Sequence, residues 1–336
     1  MSEIAAAGVR PAARSRLGGA EASRGAPDVR RLLQLALAGI WLLDALLQYQ
    51  SFMFSKAFSQ MIGGTASGNP GVVASPITWN ATLVEHHAVL VNSIFATIQL
   101  ILAIGIAWRP TVRLALAASI AWALGVWWFG EGLGMVLTSS ASPVNGAPGA
   151  VVIYALLAVL LWPTDRSVSA PFTAARAVGA PVARALWLVL WLSLAYFALL
   201  PGNRGPQALN GMIAGMESGE PGWLAAIDRN AAALVAHQGL AASIVLAVAL
   251  VIIAVGVYLP APAAKGTLVL ALVVAAVIWA FGEAFGTILT GGGTDPNSGL
   301  LLALLALTYW PVRTAVTAPA RTAPAPAGAN EGTTAS

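Results

Sequence analysis

The stretch WWFGEGLGMVLT, residues 127–138, recurs with few changes as WAFGEAFGTILT at residues 279–290. Both copies keep Trp-x-Phe-Gly-Glu, a second glycine four residues after the first, and a closing Leu-Thr. Two such copies mark the chain as a duplication. Each lies in an apolar run long enough to cross a bilayer, and each holds one carboxylate, Glu131 or Glu283. An acidic side chain near a membrane centre costs roughly 2.5–3.5 kcal/mol on insertion scales, so it faces a bundle interior and is paired, protonated or functional.

Composition agrees. Of the 336 residues, 58% are hydrophobic and 9% charged, against a usual charged share of about 25%. The expected class is all-α, a polytopic membrane helix bundle. The formal charge of +4 does not point to nucleic acid, because most basic residues sit between apolar runs, where they set orientation. Cysteine is absent, which removes disulfides and thiol redox relays. No P-loop occurs, nor a GxGxxG that leads from a strand into a helix.

Outward from the repeated motif, apolar runs fall at 32–50, 84–107, 112–138, 149–163, 184–201, 232–259, 266–290 and 299–313. With about 20 residues needed per crossing, they predict eight transmembrane helices, the fourth and eighth short. Met61, Ile62 and the Gly68-Asn69-Pro70-Gly71 turn return 151 residues later as Met212, Ile213 and Gly219-Glu220-Pro221-Gly222. Asn80, His87 and Ser93 return 150 residues later as Asn230, His237 and Ser243. Four crossings per unit, an even number, give both units the same sense, so two parallel four-helix repeats are expected. They occupy residues 30–165 and 182–314, between disordered cytoplasmic tails at 1–29 and 315–336. Placing both termini in the cytoplasm puts 14 of the 17 Lys and Arg residues inside and leaves Lys56, Arg204 and Arg229 outside. The long outer connections, 51–83 and 202–231, have the apolar content for short interfacial helices that lie over the bundle as a lid.

At 1.5 Å per residue, continuous helices place His87 and Glu131 at similar depth near the outer face, with His237 and Glu283 alike in the second half. Asp44 joins that layer, although Leu194 stands at its place in the second half. Asp44, His87, Glu131, His237 and Glu283 are therefore the candidate ligand- or proton-binding residues. Histidines at helix ends are also common interfacial residues, and Trp127, Trp128 and Trp279 fit packing better than a cofactor pocket. Gly130-xxx-Gly134 and Gly282-xxx-Gly286 are small-xxx-small pairs suited to close helix packing.

The run Gln99 to Arg109 (QLILAIGIAWR), followed by Thr111, Arg113, Ala115 and Leu116, resembles the helix, basic turn and helix of the DoxX family of bacterial membrane proteins. The resemblance implies a fused pair of four-helix units in the bacterial plasma (inner) membrane. It also implies membrane redox work coupled to a quinone, with a redox partner protein.

Three functions are thus expected to compete. A redox component would use the polar layer for a quinone head group or a transition metal, with Glu131 or Glu283 handling the proton. A transporter or channel for a small solute or cation would use the same acids as ion sites. A scaffold subunit would merely pair each acid with its imidazole. Beyond the lipid bilayer itself no partner is specified by the residues, and nucleic acid is not expected.

Overall fold

The computed structural model describes residues 28–164 and 170–312; the expected tails lie outside the described residues except for Asp28 and Val29. Asp28 accepts the Arg31 backbone N–H and starts helix α1, Val29–Leu47. Its buried face, Leu33, Leu37, Trp41 and Asp44, follows the three-to-four residue period of a helix, while Leu32, Leu35, Leu42 and Leu46 face outward. The first long connection folds into α2, Lys56–Gly64, and α3, Gly71–His86. Then come α4, Ala88–Ala107, α5, Val112–Phe129, and the short α6, Ala150–Leu160. A short helix, α7, Thr173–Val178, leads into α8, Ala180–Ala198. The second long connection folds into α9, Ala208–Ala214, and α10, Gly222–Val235. The chain continues through α11, Gly239–Gly256, α12, Ala261–Val277, and α13, Asn297–Thr308.

The molecule is all-helical among the described residues, apart from one bridge between Phe172 and Pro311. Among the described residues, five helical stretches are long and apolar enough to cross a membrane: Ala88–Ala107, Arg109–Phe129, Ala180–Ala198, Gly239–Gly256 and Ala261–Gly282. Two shorter apolar helices, α6 and α13, accompany them. Large aliphatic side chains stand on the outside, Leu114 at 74% exposure and Val245 at 70%. A surface of that kind is the one a lipid tail covers, so the protein is membrane-embedded and multi-pass.

Packing pairs α1 with α4, α5 with α6, α8 with α11 and α12 with α13, and α6 meets α13 at the centre. One buried cluster runs through all of them, including Leu37, Ile153, Leu250 and Leu301. At one end of the bundle the Arg31 guanidinium donates to the Ile106 carbonyl at 2.9 Å and to that of Ala107. Arg113 donates to the Pro163 carbonyl at 3.2 Å. Cations here satisfy orphan carbonyls at helix C-termini and oppose the negative end of the dipole.

The repeated motif departs from the expected continuous helix. Helix α5 stops at Phe129, and residues 132–135 turn through left-handed conformations, with Leu133 at φ 56° and Met135 at φ 60°. In the second copy a π-helical turn, Ile278–Gly282, is followed by Ala284, Phe285 and Thr287 at positive φ. Five of the seven non-glycine residues with positive φ among the described residues thus lie in the two copies. Left-handed L-residues cost roughly 1–2 kcal/mol each, so the surrounding contacts hold this backbone in place. Gly134 and Gly286 do not serve helix packing as the small-xxx-small reading expects. A methyl group at Gly134 would run into the Pro148 carbonyl, and one at Gly286 would come within 2.6–2.7 Å of the Pro296 backbone.

Each half also reaches into the other. Gln50 Nε2, just beyond α1, donates to the Gly293 carbonyl at 3.0 Å. Asn203 Nδ2, just beyond α8, donates to the Ala141 carbonyl at 2.8 Å. The loop before α13 therefore lies against the first half and the loop before α6 against the second.

Candidate functional site

The turn after each motif helix aims its glutamate at the start of the following helix. Glu131 N bonds Val126 O and Glu283 N bonds Ile278 O, both at 3.0 Å across five residues, a π-type closure. Trp127 Nε1 donates to Pro148 O and Trp279 Nε1 to Pro296 O, both at 2.7 Å, which pins the loop that precedes each helix. The two indoles are thus structural. Free N–H groups at a helix start attract a carboxylate, and both acids take that position, with different outcomes.

Glu283 is 1% exposed and fully engaged: Oε1 accepts from Ser298 N at 3.2 Å and from Ser298 Oγ, and Oε2 accepts from Gly299 N at 2.8 Å. Glu131 accepts only from Val151 N, at 3.4 Å through Oε1, while its buried Oε2 has no hydrogen-bond partner. Glu131 borders a cavity of about 530 Å³ in the first half, and two further carboxyls border it too. Asp44, 1% exposed on α1, accepts from Tyr154 Oη at 2.6 Å through Oδ2, and its Oδ1 is buried without a partner. Asp295 comes from the loop before α13; its Oδ1 accepts from Asn297 N at 2.7 Å and its Oδ2 from Thr294 Oγ1 at 2.8 Å. Gln48, Asn80 and Gln99 add amides, and Trp41, Trp79, Trp122, Phe58, Phe95 and Phe129 add rings. Among the described residues, no Lys, Arg or His lines the cavity.

The candidates therefore divide. Asp44 and Glu131 meet in one cavity, Glu283 is a helix cap, and both histidines stand apart. His87 is exposed in the turn between α3 and α4. His237 is exposed at φ 65°, one ring nitrogen 3.1 Å from Gln207 Nε2. The expected pairing of each acid with the imidazole of its own half is corrected, because the helix that was to carry Glu131 to the depth of His87 ends before it. Among the described residues the ion pairs are Lys56–Glu85 and Arg229–Glu217, and no three His, Asp or Glu side chains converge closely enough to hold a metal ion.

Sequence reasoning missed Tyr154 and Asp295. The available signal was positional: Asp295 precedes the proline that receives Trp279, where Ala147 precedes Pro148. A second cavity, of about 480 Å³, lies in the second half between α9, α10, α11 and α12, with Ser142 and Val144 of the first half in its wall. Its lining holds no ionisable residue, and Phe281 is its one ring.

No protein-family model, curated protein or solved structure matches this chain. The DoxX likeness rests on the quoted residues alone.

Proposed function

We propose that this protein is an eight-span component of the bacterial plasma membrane, built as two parallel four-helix repeats with both termini in the cytoplasm, that binds and moves a positively charged small solute. The distribution of Lys and Arg supports the orientation. Seven apolar helical stretches, with α1 as the eighth, support the span count. The cation reading is carried by one observation: Asp44, Glu131 and Asp295 line a single cavity that no basic side chain among the described residues enters. Carboxyls gathered at one cavity without a partner cation call for a proton or a positively charged ligand, and exchange of one for the other is the elementary step of a coupled transporter.

The test uses the full chain in liposomes that enclose a pH-reporting dye, with inorganic and organic cations added outside. A cation-dependent pH change is expected, lost in Asp44→Asn and in Glu131→Gln and kept in Glu283→Gln protein that remains folded. Absence of any such response across the panel would remove the reading. Reduction of a quinone analogue by the purified protein would instead favour the redox component implied by the family resemblance, with its partner protein.

A further inference from the structure

The shape and chemistry of the acid-lined cavity restrict which cation fits, an inference that rests on the cation-site reading above. A bare metal ion needs several oxygens within about 2.3–2.6 Å, and the described carboxyls do not converge in that way. A volume of about 530 Å³ is instead that of an organic-ligand pocket, a class that spans about 300–1,000 Å³. Aromatic rings make up much of its wall. Trp41 and Tyr154 pack with centroids 4.3 Å apart beside Asp44, and Phe95 meets Trp122 edge-on at 5.4 Å. Ring faces attract cations with spread charge and accept apolar bodies at the same time.

Access has the same character. The most exposed of the lining residues, Met61, Trp79, Ala121 and Phe129, are apolar, and Ala121 lies midway along α5. At Ala121, exposed in the middle of a membrane-spanning helix, the wall of the cavity faces acyl chains. In the same cavity the buried Oδ1 of Asp44 has no hydrogen-bond partner and is the acceptor left for a charged centre.

We propose that the cavity binds a lipophilic organic cation taken from the bilayer, its charged centre against Asp44 and its apolar body among Trp41, Trp79, Phe95 and Trp122. The second cavity, of similar size but without an acid or a ring cluster, has no means to hold such a charge.

Titration of the full chain in lipid nanodiscs with tetraphenylphosphonium, read by tryptophan quenching and calorimetry, tests this. Saturable binding to one site is expected, weakened about tenfold or more by Asp44→Asn, with Asp44→Glu retaining it. Glu131→Gln provides a second weakened variant should Asp44→Asn fail to fold, since Glu131 makes a single long hydrogen bond. Triphenylphosphine oxide, neutral and of similar shape, should not compete. Equal binding of the neutral oxide, or only non-saturable partition of the cation, would overturn the proposal. Asp44-dependent binding of sodium or tetramethylammonium without tetraphenylphosphonium would overturn the ligand class and leave the cation-site reading standing. No binding of any cation would overturn both.

Discussion

The two cavities are built alike and filled differently. Where the first half has Asp44, the second has the buried Leu194; where the loop facing the first cavity has Asp295, its counterpart has Ala147. Six residues beyond the respective prolines, Tyr154 stands in the first half and Leu302 in the second. Trp41 donates its indole N–H to Ser119 Oγ at 3.1 Å, whereas Trp191 Nε1 is buried without a partner and Ala271 occupies the place of Ser119. The differences form a set. Polar groups are costly to bury singly and tolerable when each answers another, so it is consistent that one half holds the whole set and the other lacks it.

The sharpest way to break this comparison is to place a lone acid in the apolar half. Leu194→Asp buries a carboxyl without the tyrosine that serves Asp44, and should cost about 3–5 kcal/mol, the range for an uncompensated buried charge. A thermal unfolding midpoint equal to that of the parent would show that Tyr154 is not what makes Asp44 tolerable. The two motif acids should separate next. Glu283→Gln weakens bonds to Ser298 and Gly299 and should cost about 2 kcal/mol, as charge-assisted bonds do, whereas Glu131→Gln should leave the midpoint nearly unchanged. Equal losses in a paired denaturation series would make both residues caps. A smaller effect is expected of Tyr154→Phe. Interhelical side-chain bonds in membranes average about 0.6 kcal/mol with a maximum near 1.7, so a loss of about 1 kcal/mol is expected, together with altered cation response in the liposome assay. Ala271→Ser should work in the other direction and add about 0.5 kcal/mol by giving the Trp191 indole an acceptor; a lowered midpoint would mean that the site has no room for the hydroxyl.

The smallest predicted effect lies in the long connections, where the contrast reverses. Asn69 of the first half is replaced by Glu220, whose carboxyl meets that of the buried Asp228 near Glu217, itself paired with Arg229 at 3.3 Å. Burial first, then Asp228, raises Glu220 from 4.5 to about 7, and burial raises Asp228 as well. The folded segment therefore holds protons that the unfolded one releases, and its stability should fall as pH rises from about 4.5 through about 7. Hydrogen exchange of residues 208–235 at pH 5 and pH 8, each referred to the intrinsic rate at that pH, should show lower protection at the higher pH, and Glu220→Gln should remove that difference. The first half, with Asn69, should show none.

Helix content, the apolar outside and the kinship of Glu131 with Glu283 were all legible in the residues. The surroundings of those acids were not, because the runs 112–138 and 266–290 read as continuous helix, and hydropathy does not register left-handed turns at Leu133, Met135 or Phe285. Gly134 and Gly286 carried the warning, since the glycines that suit helix packing also suit tight turns. Asp295 was hidden for another reason. It falls in a connection between apolar runs, where an acid is ordinary, and only the crossing of that loop to the other half makes it part of a buried wall. His87 and His237 matched in register because the connections repeat, and register alone says nothing of where a ring points.

The exchange of loops through Gln50 and Asn203 has an evolutionary consequence. A pocket whose wall is encoded in the opposite half cannot be inherited as a module. In a symmetric pair of separate chains every change would fall on both pockets at once, whereas in this single chain one codon, such as that of Asp295, can alter one and spare the other. Specialisation of this protein is thus cross-encoded: the identity of the first chamber is written partly in the genetic text of the second.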